Sequence, residues 1–355
     1  MAEEFRLEDI DTNFVTAKNF NAEGLKFYNV LEEPFRIYGL ILPNEENKCF
    51  LRMKKESADQ TSEKVGRLNY HTAGGRVRFR TNSTKIAILA SLNHISRMSH
   101  FPFSGTAGFD VYVDGRFCTA FIPPLEMGES FASLKPLGDG VMKEVEINFP
   151  LYSGVNELRI GLEEDAVVLE GEKYAYEKPI VYYGSSITQG ACASRPGNTY
   201  EAIIARKTSC DFINLGFAGS AMGEKSMAEY IATLDMQIFV FDYDFNTSSP
   251  AKLLAKHEPF FKVVREAQPM LPIVMITRPS DDCGEREARR EIIKRTYDNA
   301  KASGDENVYF IDGYEIMSEK TVGDGTVEGV HPNDYGFRAM AEGIGAVIQE
   351  ILQKY

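Results

Sequence analysis

The run Ile180-Val181-Tyr182-Tyr183-Gly184-Ser185-Ser186-Ile187-Thr188-Gln189-Gly190 is where the chain changes rhythm. Ile180–Tyr183 reads as a short apolar strand buried on both faces. Gly184 then permits a tight turn, with Ser185 and Ser186 at its exposed edge. A hydroxyl there is a nucleophile if a base reaches it. Small polar residues also populate turns for backbone reasons alone.

Downstream, apolar strands alternate with amphipathic helices. Strands are predicted at Phe212–Leu215, Ile238–Phe241, Ile273–Ile276 and Val308–Ile311, and helices at Tyr200–Lys207, Leu253–Ala267 and Glu287–Ala302. The last helix is the clearest. Phe337, Met340, Ala341, Ile344, Val347, Ile348 and Ile351 recur at steps of three and four, with Asn333 or Asp334 as cap. This alternation predicts about five parallel strands covered by helices on both faces. Ligands bind such sheets at the carboxyl ends of the strands. The loops of interest therefore start at Gly184, Gly216, Asp242 and Arg278, with one more before His331.

Upstream the period is two. Phe109, Val111 and Val113 alternate with Asp110 and Tyr112, and Asp114-Gly115 supplies a hairpin turn before Phe117. Val77 and Phe79 alternate with Arg76, Arg78 and Arg80. Val145, Ile147 and Phe149 do the same, as do Leu158, Ile160 and Leu162. These short strands predict an antiparallel sandwich over residues 1–172. The charged stretch Glu170–Lys178 reads as the linker, and residues 178–355 as the second domain.

The bulk properties exclude several classes. The 355 residues carry a net charge of −13, which argues against binding nucleic acid through phosphate neutralisation. Glu3, Glu4, Glu8 and Asp9 open the chain without an apolar segment after them, and no apolar run is long enough to span a membrane. Cys49, Cys118, Cys192, Cys210 and Cys283 are odd in number and widely spaced. That pattern predicts free thiols in a reducing cytoplasm, with neither a disulfide framework nor a zinc site. The oligomeric state is not fixed at this level.

Four loops carry the chemistry. The second, Asn214-Leu215-Gly216-Phe217-Ala218-Gly219, offers backbone N–H groups close to a ligand. The third, Phe241-Asp242-Tyr243-Asp244-Phe245-Asn246, ends on an amide able to donate to an oxyanion or to cap a helix. The last, Glu328-Gly329-Val330-His331-Pro332-Asn333-Asp334, places a histidine before the terminal helix with a carboxylate three residues earlier. His71, His94, His100 and His257 read as structural or surface residues.

Taken together and in this order, the loops resemble the SGNH (GDSL-like) hydrolases, named for Ser, Gly, Asn and His in four blocks. Gly184-Ser185-Ser186-Ile187 is similar to the first block, with Ser185 where Asp usually stands; Gly219, Asn246 and His331 match the other three. The resemblance implies a flavodoxin-like α/β/α catalytic domain, here behind a jelly-roll-like sandwich. It implies Ser186 as nucleophile, His331 as base, and an oxyanion hole of Ser186, Gly219 and Asn246. Glu328 stands where the family usually has Asp and would complete a Ser-His-Glu triad. A Ser-His dyad is the alternative, and Asp324 is a fallback partner. Ser185 is expected to alter the turn's hydrogen bonds and leave the chemistry intact.

Arg195, Arg278 and Tyr243 are possible substrate-binding residues. No cofactor or metal is expected. The implied substrate is a small acyl ester, acetyl foremost, on a carbohydrate or other polar alcohol. The competing expectations are a thioesterase or acyltransferase with the same triad, or a carbohydrate-binding protein without activity. A cation held by Asp242, Asp244 and His331 is the most distant of them.

Overall fold

The computed structural model describes residues 21–279, 284–317 and 323–354. The acidic N-terminal residues and Cys283 lie outside them.

Ten strands build the N-terminal part: β1 (Leu25–Asn29), β2 (Arg36–Tyr38), β3 (Arg76–Thr81), β4 (Lys85–Asn93), β5 (Phe109–Val113), β6 (Arg116–Phe121), β7 (Ser130–Pro136), β8 (Lys143–Asn148), β9 (Gly154–Glu163) and β10 (Val168–Glu170). They form two sheets, ordered β1-β9-β4-β7 and β10-β3-β8-β5-β6, with β2 paired to β3. All of these pairings are antiparallel. Successive strands cross between sheets everywhere from β3 to β9 except at the β5–β6 hairpin, which gives a jelly-roll-like sandwich. That hairpin turns at Asp114 and Gly115, with φ of 48° and 74°, the two positive values of a type I′ turn. The inward residues read from the period of two form one core, including Val77, Phe79, Val111, Val145, Ile147, Leu158 and Ile160.

Among the described residues, three short helices lie in the same part: α1 (Lys55–Thr61), α2 (Glu63–Leu68) and α3 (Phe103–Thr106). None of them was expected from a pattern dominated by alternation.

The C-terminal part holds β11 (Tyr176–Gly184), β12 (Cys210–Gly216), β13 (Ile238–Asp242), β14 (Ile273–Ile276) and β15 (Val308–Ile311). They are all parallel, in the order β12-β11-β13-β14-β15. This is the 2-1-3-4-5 order of a flavodoxin-like sheet, whose strand order reverses between its first and third strands. Gly184 of β11 is in register with Gly216 of β12 and Asp242 of β13. Three of the loops singled out above therefore leave the sheet side by side at the switch point.

The connecting helices are α4 (Ser186–Gln189), α5 (Tyr200–Thr208), α6 (Lys225–Ala232), α7 (Pro250–Ala267), α8 (Arg286–Ala302), α9 (Gly313–Ile316) and α10 (Asp334–Leu352). One layer packs β11–β15 residues against α5 and α10, with Ile204, Phe337, Ile344 and Ile348 among its residues. The opposite layer is built on Val181, Tyr183, Phe239 and Phe241 and includes residues of α6, α7 and α8.

The first of these cores runs across both parts of the chain, because Ala73, Phe101, Leu151 and Tyr152 belong to it. Part of the polar face of β3, β8 and β5 is covered as well. Arg76 is buried; its Nε donates to Tyr174 (3.0 Å) and its guanidinium pairs with Asp211 and lies 3.8 Å over the Phe212 ring. Asp110 and Tyr112, which alternate with the inward residues of β5, are buried as well. Among the described residues, no helix is long and apolar enough to cross a membrane.

Candidate active site

Ser186 begins the short helix α4, directly after β11. Ser185 Oγ caps that helix by accepting from Ile187 N at 3.1 Å. Asn214 Nδ2 donates to Thr188 O at 2.6 Å, while Asn214 Oδ1 accepts from Gly216 N at 2.9 Å. The nucleophile turn and the loop after β12 are thus fastened together. Gly216 is required for that contact, since a Cβ there would stand 2.2 Å from Gln189 N.

His331 lies before α10. Its Nε2 stands 2.9 Å from Ser186 Oγ, and its Nδ1 is 2.5 Å from Glu328 Oε1. Nδ1–H donates to the carboxylate, which leaves Nε2 as the acceptor for the serine hydroxyl. The same Glu328 oxygen accepts from His331 N at 3.1 Å. Val327 N donates to His331 O at 2.9 Å, so the loop closes on itself around the ring. Asp324 is exposed and gives its carbonyl to Asn333 Nδ2 at 2.7 Å. Asn333 caps α10, its Oδ1 accepting from Tyr335 N and Gly336 N. Asp334 ties the two loops together, accepting from Ser194 N at 2.8 Å and Ser194 Oγ at 2.5 Å.

Gly219 has φ of +60°, and a Cβ built there meets nothing within 4 Å. That backbone conformation favours glycine, and the space beside it is open. Asn246 Nδ2 donates to Phe217 O at 2.9 Å, joining the loops after β12 and β13. A carboxamide has two N–H donors, and this bond uses one of them.

Several residues that sequence reading passed over hold this arrangement. Gln189 Nε2 donates to His71 Nδ1 (2.9 Å) and Leu151 O (3.2 Å), and its Oε1 accepts from Ala218 N (3.0 Å). Burial, with Arg52 nearby, pushes the His71 pKa down to about 3, so the ring is neutral and accepts the Gln189 bond. Arg52 is buried, donates to Gly216 O and Leu68 O, and lies 4.4 Å over the Phe217 ring. Tyr152 OH donates to Ser186 O at 3.3 Å. The contacts of His71, Leu151, Arg52 and Tyr152 reach the site from the N-terminal part. The only sequence signal for the arrangement was Gln189, Asn214 and Asp334 standing inside the quoted loops.

Other expectations are redirected. Arg195 is engaged by the sandwich: its NH1 donates to Asp110 (2.8 Å) and Tyr112 OH (2.6 Å), and it stacks 3.8 Å over Phe117. Arg278 is buried, with its backbone N–H on Asp244 (3.1 Å) and its guanidinium over Phe245 (4.7 Å). Tyr243 is core, stacked with Tyr183, Phe241, His257 and Phe260. Asp242 accepts from Tyr200 OH and Thr188 Oγ1, and Asp244 pairs with Arg289 at 3.0 Å. These two carboxylates do not join His331. His100, read as a surface residue, is exposed but brings its ring centroid to 6.0 Å from that of His331.

A doubly wound parallel sheet, with hydroxyl, imidazole and carboxylate lined up at its carboxyl edge, defines an α/β acylhydrolase. The chain belongs to the GDSL-like lipase/acylhydrolase (SGNH) family and is by that membership a carboxylic ester hydrolase: the family model matches residues 177–349, and that of the N-terminus of SGNH-hydrolase-type esterases matches residues 25–168. A solved structure from Bacteroides ovatus, described as a GDSL-like lipase, is 29% identical with a TM-score of 0.80, covering 93% of this chain and 98% of that one. The salicylyl-acyltransferase of a tetracycline biosynthetic pathway shares the fold at 22% identity and TM-score 0.75, covering 92% and 98%. A family two carbohydrate esterase from Clostridium thermocellum does so at 17% and 0.62, covering 90% and 98%. No curated protein sequence matches the chain.

Proposed function

We propose that the protein is a serine esterase that removes small acyl groups, acetyl foremost, from a carbohydrate or similar polar alcohol. The observation that carries this reading is the line from Ser186 Oγ through the His331 ring to Glu328, at 2.9 and 2.5 Å. His331 Nε2 takes the serine proton as the oxygen attacks the ester carbonyl, and Glu328 stabilises the imidazolium. The N–H groups of Ser186 and Gly219, with the second N–H of Asn246, receive the oxyanion. The alcohol leaves with the proton from His331. Water then attacks the acyl-enzyme with His331 as base, which restores Ser186.

Two features support a polar leaving group. Asn246 is partly exposed and Glu328 exposed, both polar, and the space beside Gly219 is open. The sandwich is an architecture shared with the carbohydrate esterase named above, a likeness of fold.

The test is hydrolysis of 4-nitrophenyl acetate, its longer-chain homologues and acetylated xylan. Wild type should turn over acetate best, and Ser186→Ala should reduce the rate to background. Full activity in Ser186→Ala would remove the nucleophile from this scheme. Glu328→Ala should lower kcat by about 10²- to 10⁴-fold if the carboxylate orients the ring, whereas an unchanged rate would make the site a Ser-His dyad. Acyl transfer to an added alcohol in place of water would identify an acyltransferase using the same intermediate.

A further inference from the structure

His331 has two neighbours, His100 and Cys192, that have no part in the scheme above. His100 comes from the loop after β4, Cys192 from the loop after α4, and His331 from the loop before α10. Each offers one ligand atom, and the three atoms lie within 4.8 Å of one another. Two imidazoles and a thiol are the donor set of a thiophilic cation, unlike the oxygen cages of Mg²⁺ or Ca²⁺.

We propose that His100, Cys192 and His331 form a binding site for Zn²⁺, and that occupation of this site switches the esterase off. The binding half stands on the cluster alone. The inhibitory half rests on His331 serving as the base.

The geometry needs a small closure. Zn–S bonds of about 2.3 Å and Zn–N bonds of about 2.0–2.1 Å put tetrahedral ligand atoms roughly 3.3–3.6 Å apart. The atoms must draw in by about an ångström from their present limit. His100 is exposed on a loop and can swing, while Cys192 is buried and fixed. Cys192 has φ of +70°, a left-handed conformation uncommon for a side chain with a Cβ, and one that persists where the surrounding structure imposes it. Water completes the fourth position.

The cation must displace the thiol proton. On binding, the S–H bond breaks, an S–Zn bond forms and the proton goes to solvent; nothing is oxidised or reduced. His331 can offer either nitrogen. Nε2 now accepts from Ser186 and Nδ1 donates to Glu328, so coordination through either one breaks the triad.

The test uses metal-free protein titrated with Co²⁺ as a spectroscopic stand-in, together with Zn²⁺ added to the 4-nitrophenyl acetate assay. Wild type should develop a thiolate-to-cobalt charge-transfer band that saturates at one ion per chain. Zn²⁺ should inhibit, and a chelator should restore the rate. Cys192→Ser and His100→Ala should lose the band, keep their basal activity, and need at least about tenfold more Zn²⁺ for the same inhibition. His100 is exposed, so its replacement disturbs no core packing. Absence of the band in wild type, or equal Zn²⁺ sensitivity in all three proteins, would overturn the site. The band without inhibition would overturn the switch alone. If the protein hydrolyses none of the esters, the cobalt spectra still decide the site.

Discussion

Asn246 shows how one side chain can serve two ends. One of its N–H groups bridges to Phe217 O at 2.9 Å, which fixes the carboxamide plane, and in the proposed scheme the other meets the developing charge. Removing a single oxyanion donor costs about 10²–10³ in rate. Asn246→Ala should therefore lower kcat by that factor with little change in KM, measured on 4-nitrophenyl acetate. A change in KM alone would place Asn246 in ground-state binding. Asp242 presents the opposite case, a carboxyl whose surroundings oppose its charge. Burial raises its pKa to about 7 despite hydrogen bonds from Tyr200 and Thr188. Below about pH 4 the group is protonated in both folded and unfolded chains. Between there and about 7 the unfolded chain ionises while the folded one keeps its proton, so stability falls across that window. Asp242→Asn should match wild type at pH 4 and exceed it at pH 8 by up to about 4 kcal/mol, read from denaturant midpoints at the two pH values.

At the scale of elements, α4 shows how a very short helix is held in place. Its last residue, Gln189, contacts His71 and Leu151 on the sandwich side and Ala218 on the loop that carries Gly219. Gln189→Ala leaves buried polar groups without partners, at a cost of about 1–3 kcal/mol. It should also lower kcat, because the Gly219 loop loses a tether. Thermal melts and kinetics on one preparation check both, and a stability loss with kcat intact would confine Gln189 to folding. The strands of the parallel sheet were legible because each is an apolar run between polar punctuation, and observed bounds differ from the expected ones mainly by extension at the ends. The helix α6 was not legible. It has eight residues, and its N-cap, Glu224, makes no side-chain cap bond, so the usual start signal is missing.

For the whole molecule, the decisive feature is that the sandwich and the parallel sheet share a core and a set of buried charges. The Arg195–Asp110 pair belongs to that contact, with Asp110 wholly buried and Arg195 partly exposed. Breaking a buried pair by removing one partner costs about 3–5 kcal/mol, and the exposure of Arg195 puts this one at the low end. Arg195→Ala should destabilise by about 3 kcal/mol while KM for a small ester stays unchanged. A rise in KM without a loss of stability would return Arg195 to the substrate pocket.

The local code of the chain was enough to determine the two rhythms, the parallel sheet and the four loops at its edge. Periodicity and turn chemistry act over a few residues and are written there directly. It also singled out Ser186 and His331 through the family resemblance of their loops; the fold brings these residues, 145 positions apart in sequence, to 2.9 Å. The placement of everything that depends on long-range contact was decided by the tertiary structure. Arg195, Arg278 and Tyr243 have the residue types of a binding pocket, yet they are spent on Asp110, Asp244 and an aromatic stack. His100 has the composition of an ordinary surface residue, yet the loop after β4 brings it to His331. A polar side chain can bond to whatever the fold puts in reach, and only the packing of the sandwich against the sheet determines what that is.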